Sequence, residues 1–316
     1  MNTRILVGAI MLMGLSGCAE QKMQSGECAN QELIAHKRDQ ELQTAVAALV
    51  KRYLVERKWS TVTVYVVETQ TGKMRTRVSL NRNGEKVEPY EDTYMYKQNQ
   101  MLCAPTYLAL LTTEKVTSES WFDTGPGIYG EVKDHNWQHG GYGKLTLEKA
   151  LCVRSQVAFT MAREYVWGDS KAEYEAKMNR YLGSEPYCAT DVLTFYNAVA
   201  NGGRMLKLVS EGEGSIVLDG HIAPLQHVKA LQDGLERCVS QGVFRHVGRN
   251  YTKVAACGCT FMKEGETRRM ELCGYFPADK AKYTLMVIIE KDGLPAGATY
   301  MCGPLMVDVI DFLANE

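Results

Sequence analysis

The chain contains 316 residues, of which 45% are hydrophobic and 23% charged, and its formal net charge is −1. This length and apolar content are sufficient for one large domain or two smaller ones with a proper hydrophobic core. The balanced charge argues against nucleic-acid binding, which needs a concentration of basic residues, so we expect no nucleic-acid partner.

The N-terminal residues have the order of a secretory signal. Arg4 precedes an apolar run over residues 5–15, which is too short for a membrane span but typical of a signal peptide, here placed at residues 1–17. The ending Leu15-Ser16-Gly17-Cys18 resembles a bacterial lipobox. It implies lipidation of Cys18 and attachment to a membrane of the cell envelope, on the periplasmic or outer-membrane side. An ordinary signal peptide with a chance cysteine is the alternative.

The next segment is polar and shows little periodicity. We predict that residues 18–39 form a tether and that residues 40–316 form the folded domain. The domain opens with apolar residues at helical spacing over residues 40–57, which predicts an amphipathic helix.

A β-hairpin is predicted after this helix. Residues 59–69 are rich in β-branched side chains, residues 74–80 alternate apolar and polar, and Thr71-Gly72 supplies a turn between them. Residues 81–92 are predicted to be a loop.

The middle of the chain is predicted to be mostly helical. Residues 96–111 form a short loop that runs into a buried helix, and residues 121–127 form a turn-rich loop. Residues 145–165 are predicted to form one helix with Thr146 as its N-cap. Two further helices are predicted over residues 191–200 and 227–239.

The C-terminal part of the chain has the pattern of strands. Three strands are predicted over residues 253–262, 267–276 and 283–290, and a terminal helix over residues 304–313. The two groups of strands most simply form one sheet. The predicted class is therefore α/β of the α+β type, with an antiparallel sheet flanked by helices and a helical subdomain.

Six segments, in order, resemble the transpeptidase domain of penicillin-binding proteins, which has the serine β-lactamase-like fold. They are VYVVETQTGK at 64–73, WFDTGPGIY at 121–129, GKLTLEKAL at 143–151, FYNAVANGG at 195–203, CGYFPAD at 273–279 followed by Tyr283, and Gly303-Pro304. The resemblance covers roughly residues 40–314. It implies a transpeptidase-like fold and a role in the bacterial cell wall.

The same resemblance implies where catalytic groups would stand. In that family a serine attacks the acyl-D-Ala-D-Ala carbonyl and a lysine three residues later takes its proton, while an SxN element and a KTG strand complete the site. This chain has no SxxK sequence. The matching positions hold Gln100 and Cys103 for SxxK, Arg154 and Gln156 for the ends of SxN, and Cys257 and Cys259 for the lysine and glycine of KTG.

These replacements predict the loss of acyl transfer. A glutamine amide is neither a nucleophile nor a proton acceptor near neutral pH. Removing the nucleophile or base of a serine hydrolase costs roughly a factor of 10⁶ in turnover. We therefore expect no catalytic residues.

The cysteines admit several interpretations. Nine remain beyond Cys18, and the resemblance implies that Cys103, Cys257 and Cys259 converge on one cleft. They are interpreted as small buried residues or ordinary disulfides, while a soft metal such as Zn²⁺ or a thiol nucleophile stays open. The histidines show no catalytic spacing, and His135 and His139 are expected at the surface. No cofactor is predicted.

The sequence therefore predicts a lipid-anchored envelope protein with a transpeptidase-like domain that has lost its chemistry. It is expected to bind peptidoglycan stem peptides or a protein of cell-wall synthesis. The alternatives are an enzyme with a remodelled cysteine- or metal-dependent site, and a residual penicillin-binding transpeptidase.

Overall fold

A computed structural model describes residues 37–96, 102–168, 170–210, 215–263 and 265–315. The chain divides into two compact units, 1–45 and 46–316, and the described part of the first unit is helical. Residues 37–39, which were predicted to belong to the tether, are therefore helical. Cys18, Gln100 and the predicted signal peptide lie outside the described residues.

The described residues contain the following elements. The strands are β1 (Thr61–Glu68), β2 (Lys73–Asn83), β3 (Lys86–Pro89), β4 (Trp121–Asp123), β5 (Ile128–Tyr129), β6 (Val132–Lys133), β7 (Lys144–Thr146), β8 (Met205–Leu206), β9 (Val217–Asp219), β10 (Ala255–Met262), β11 (Thr267–Phe276) and β12 (Tyr283–Asp292). The helices are α1 (37–56), α2 (Cys103–Leu111), α3 (Leu147–Val153), α4 (Gln156–Trp167), α5 (Lys171–Leu182), α6 (Ala189–Ala200), α7 (Leu225–Ser240) and α8 (Ala298–Ala314). Within this described part, no helix is long and apolar enough to cross a bilayer.

One antiparallel sheet organises the fold. Its strand order is β10-β11-β12-β1-β2-β3, so β12 joins the C-terminal strands to the N-terminal hairpin. Residues 62–67 of β1 and 284–290 of β12 are all buried, as expected for central strands that are covered on both faces. The predicted mixed α/β class, with the two groups of strands joined in one antiparallel sheet, is confirmed, and three two-stranded sheets accompany it in the described part of the chain.

The helix α2 is the centre of the helical part. All nine of its residues are buried, and it contacts α3, α4, α5 and α7. A helix that is apolar all round fits this central position because it has no face to offer to water.

The predicted loop over residues 81–92 is wrong. The strand β2 continues to Asn83, and β3 pairs with it as the last strand of the sheet. Gly84 makes the turn with φ of +63°, a conformation that favours glycine. The exposed charged side chains of β3 hid the strand, because edge strands carry such residues to avoid further pairing.

The single helix predicted over residues 145–165 is also wrong. Thr146 caps α3 as expected, since its side chain accepts from the N–H of Lys149, but α3 ends at Val153 and α4 begins at Gln156. Arg154 between them has a left-handed backbone with φ of +58°. Ser155 then acts as the N-cap of α4 by accepting from the N–H of Ala158.

Other boundaries differ from the sequence prediction. The turn-rich loop over residues 121–127 contains β4, which pairs with β7. The terminal helix begins at Ala298, so Pro304 lies inside α8 rather than at its start. Helix α5 was not predicted because it is mostly polar and buries only Met178, Tyr181 and Leu182.

A buried ionic cluster joins the segment before α2 to the sheet. Arg269 of β11 has no exposed side-chain surface and lies 2.7 Å from Asp92, 2.5 Å from Glu271 and 3.0 Å from Glu290. The hydroxyl of Tyr96 donates to Glu271 at 2.6 Å. Burial would lower the pKa of Arg269, but the carboxylates of Glu271 and Asp92 outweigh it and raise this pKa. The guanidinium therefore stays charged and holds three carboxylates.

Replacing Arg269→Met is expected to destabilise the fold by about 3–5 kcal/mol, because Asp92 and Glu271 would remain buried without their cation and Glu290 would keep only Lys263. The measurement is urea unfolding followed by circular dichroism. The matched control is Arg268→Met, one residue earlier on the opposite face of β11, where only a small change is expected. Equal effects of the two substitutions would contradict this role for Arg269.

Candidate functional site

Cysteine side chains fill the region around the start of α2. Cys103 is the first residue of this helix, and it lines a cavity together with Cys257 and Cys259 of the edge strand β10. The volume of this cavity is about 30 Å³, well below the roughly 150 Å³ of a cavity that holds benzene. Cys103, Cys257 and Cys259 thus line one small cavity of the described part of the chain. Gln100 lies outside the described residues.

Burial keeps two of these thiols uncharged. It raises the pKa of Cys103 to about 12, with a smaller contribution from Cys257. It also raises the pKa of Cys259 well above its usual range, helped by Glu271, whose carboxylate lies 3.6 Å from the sulfur. A thiol nucleophile requires a thiolate, so neither side chain is activated.

A fourth cysteine of this region, Cys238, interacts with two other cysteines. Cys238 of α7 interacts with both Cys257 and Cys152, and its interaction with Cys257 lowers the pKa of Cys257. Cys257 is nevertheless buried, and Cys273 lies directly opposite it on β11. Cys238 was not among the predicted site residues, because it occupies an ordinary inward position of an amphipathic helix.

All eight cysteines that the structure describes are free thiols. Among the described residues there is also no group of three or more histidine, cysteine or acidic side chains that could hold a metal ion. The geometry around Cys103, Cys257 and Cys259 therefore gives no support to the metal hypothesis.

The hydroxyl nearest to the expected SxN position is committed to the fold. Ser155 is fully buried, and its Oγ donates to Asp134 at 2.8 Å while it accepts from Ala158. Asp134 also accepts from the N–H of Val157 at 3.2 Å, so it anchors the first turn of α4. This hydroxyl therefore serves as a helix cap and is held in place by the carboxylate of Asp134.

A much larger cleft lies beside this position. Its volume is about 630 Å³, and both Arg154 and Gln156 line it. We call it the cationic cleft, because its lining includes Lys133, Arg154 and Arg245 and contains no acidic residue. His135 and His246 also line it, so the prediction of His135 at the surface places it correctly but misses its part in a cleft.

The electrostatics of the cationic cleft favour an anion. Arg154 Nε is buried and has no hydrogen-bond partner among the described residues, and its guanidinium stacks 6.0 Å from the ring centre of Phe244. The N-terminus of α8 also lines the cleft and adds a partial positive charge. Desolvation, followed by the charge of Arg154, lowers the pKa of His135, so its ring is mostly neutral near pH 7.

The backbone conformation of Arg154 is energetically unfavourable. A left-handed backbone is unfavourable for a side chain other than glycine by roughly 1–2 kcal/mol. The N–H of Arg154 donates to Leu151 and that of Ser155 to Ala150, which fixes the break between α3 and α4. Such outliers cluster at functional sites, which supports a role for the cationic cleft.

The arrangement of a six-stranded antiparallel sheet, a buried central helix and a cleft along the edge strand defines a class of fold. It is the fold of penicillin-binding-protein transpeptidase domains, as the resemblance implied.

Three solved structures illustrate this similarity. The transpeptidase domain of penicillin-binding protein 3 from Burkholderia pseudomallei is 14% identical with a TM-score of 0.67, over 87% of this chain and 94% of that chain. The transpeptidase domain of the FtsI4 D,D-transpeptidase from Legionella pneumophila is 14% identical with a TM-score of 0.63, over 86% and 96%. A peptidoglycan glycosyltransferase from Burkholderia ambifaria is 15% identical with a TM-score of 0.65, over 87% and 96%. No protein-family model and no curated protein matches the sequence.

The protonation of Cys103 can be tested by alkylation. A pKa of about 12 instead of 9.0 lowers the thiolate fraction near pH 8 by roughly 1,000-fold, so iodoacetamide is expected to leave Cys103 unmodified in the native protein. The measurement is peptide mass spectrometry after timed labelling, and the control is the same protein in guanidinium chloride. Equal labelling of Cys103 in both conditions would contradict the buried, uncharged thiol.

Proposed function

We propose that this chain is a catalytically inactive, transpeptidase-like protein of the cell envelope that binds a carboxylate-bearing peptide of peptidoglycan. The observation that carries this proposal is the cationic cleft, which is open, lined by three cationic side chains and without an acidic one. The inactivity is inferred from the groups around the start of α2, and ligand binding is inferred from the cationic cleft.

The proposed inactivity rests on the groups around the start of α2. Acyl transfer needs a nucleophile and a base within hydrogen-bond reach of each other. The sequence contains no SxxK pair, Ser155 is used as a helix cap, and the cavity at Cys103 is small. A cysteine-dependent enzyme is disfavoured because Cys257 is buried and the cavity that it lines is small.

The proposed ligand follows from the chemistry of the cationic cleft. Guanidinium groups bind carboxylates through two parallel hydrogen bonds, and Arg154 lines the cleft. The stem peptides of peptidoglycan carry carboxylates and are small enough for a volume of about 630 Å³. A folded protein of wall synthesis, the other hypothesis, would need a contact surface of about 800 Å² rather than a concave site.

Absence of acyl transfer is tested with a fluorescent penicillin. The purified protein is expected to show no covalent labelling, since no group matches the family nucleophile. The positive control is a transpeptidase that retains its SxxK serine, labelled and analysed by denaturing electrophoresis in parallel. Stoichiometric labelling of this chain would overturn the proposed inactivity without affecting the binding proposal.

Ligand binding is tested with a synthetic peptide ending in D-Ala-D-Ala, compared with the same peptide carrying a C-terminal amide. Calorimetry is expected to give weaker binding for the amide, and Arg154→Gln is expected to weaken binding of the acid roughly tenfold or more. The control Lys229→Gln removes a charge on α7 that pairs with Asp233 outside the cleft, and should leave affinity unchanged. Equal affinities for acid and amide would contradict carboxylate recognition.

The envelope location is proposed from the lipobox-like sequence. If Cys18 carries the lipid, Cys18→Ser should abolish incorporation of labelled palmitate and release the protein from the membrane fraction. Cys28→Ser is the matched control, because it lies beyond the predicted cleavage point and should not change either measurement. Membrane attachment that persists in Cys18→Ser would contradict the anchor.

A further inference from the structure

A second concave surface lies at the other end of α4. We call it the aromatic groove, and its lining includes Trp121 and Phe122 of β4, Tyr129 of β5, and Tyr165 of α4. Its volume is about 590 Å³. None of its lining residues lines the cationic cleft. Gln156 and Tyr165 lie roughly 13 Å apart along α4, given the rise of 1.5 Å per residue.

The aromatic rings of this groove are unusually exposed. The exposed fractions are 58% for Trp121, 39% for Tyr129 and 70% for Tyr165. Scattered exposed apolar side chains are normal, but several aromatic rings that line one concavity indicate a binding surface. The ammonium of Lys144 lies 5.3 Å from the ring centre of Trp121 and orients this ring on the strand pair β4 and β7.

Hydrogen-bond acceptors line the same groove. The hydroxyl of Tyr129 donates to Glu164 Oε2 at 2.5 Å, which leaves Oε1 available. Asp123 Oδ1 accepts from the N–H of Gly125 at 3.0 Å, and no described residue occupies its Oδ2. The groove thus combines flat apolar rings with two carboxylates that can accept further hydrogen bonds.

We propose that the aromatic groove binds a neutral oligosaccharide. A pyranose ring has an apolar face of C–H groups, which packs on aromatic rings, and hydroxyls around its edge, which donate to carboxylates. Other occupants match less well. An anionic polymer would meet the charges of Asp123 and Glu164 with only Lys115 as a cation in the described lining, and an apolar peptide helix would bury these carboxylates without donors. This site goes beyond the proposed peptide binding and does not depend on it.

The test uses two soluble probes, a β-1,4-linked oligomer of N-acetylglucosamine and a β-1,4-linked oligomer of glucose. Binding is measured by NMR titration of the full-length protein and by tryptophan fluorescence. We expect at least one probe to bind and to shift resonances of Trp121, Tyr129 and Glu164. Binding of both indicates recognition of the sugar ring alone, whereas binding of one also identifies a requirement for, or exclusion of, the acetamido group.

Variants locate the binding surface. Trp121→Ala and Tyr165→Ala are each expected to weaken binding roughly tenfold, because each removes one stacked ring. The matched control is Tyr251→Ala, since Tyr251 is as exposed as Trp121, at 58%, and lies outside the groove. Glu164→Gln preserves the shape of the side chain and removes its charge. It should weaken oligosaccharide binding by less than the two aromatic substitutions, and the size of its effect measures the contribution of the charge.

The outcomes separate the two proposals. Arg154→Gln should leave oligosaccharide affinity unchanged even where it weakens peptide binding. If neither probe shifts groove resonances in the wild-type protein, the oligosaccharide site is overturned whatever the variants do. Equal affinities of the wild-type, Trp121→Ala and Tyr165→Ala proteins would overturn it as well, because bound sugar would then lie elsewhere.

Discussion

The contact between Arg269 and its three carboxylates determines where the central part of the fold can lie. Asp92 and Tyr96 stand on the segment that leads towards α2, whereas Arg269, Glu271 and Glu290 belong to the sheet. The cluster therefore ties that segment to β11 and β12. Because a buried charge is costly unless its partners are in place, the segment has little freedom to move away from the sheet.

A packed region and an open cleft lie side by side. In the region where the resemblance implies catalysis, thiols of α2, α7 and β10 lie close together, and the cavity between the thiols of α2 and β10 is small. Next to it the cationic cleft is open, and no carboxylate of the described residues lines it. The packed thiols and the open cleft thus occupy neighbouring volumes. Gly258 shows how tight the packed side is, since a Cβ there would lie 2.2 Å from the carbonyl oxygen of Glu271.

The sequence predicts the parts of this structure that depend on local pattern. The hairpin, the three C-terminal strands and α7 follow from periodicity and turn residues. The order of the six segments that resemble the transpeptidase domain indicates the fold. The break between α3 and α4 could not be predicted, because it depends on a bond from Ser155 to Asp134 in a distant loop. Arg269 looks like a solvent-facing strand residue until its three partners are placed. Lys133 and Arg245 reach the cleft from separate segments, and neither belongs to a local motif.

The eight cysteines of the described residues, all free thiols, have a consequence for how the chain reaches its folded state. Once folded, most of these eight are buried, but an unfolded chain exposes them together with the other two cysteines of the sequence. Eight cysteines alone can pair in roughly a hundred ways, and in an oxidising compartment each pairing would trap a different loop. Folding then competes with oxidation, and the yield of native protein depends on which is faster. The order of these two events, more than the stability of the finished fold, would set how much of this protein a cell can accumulate.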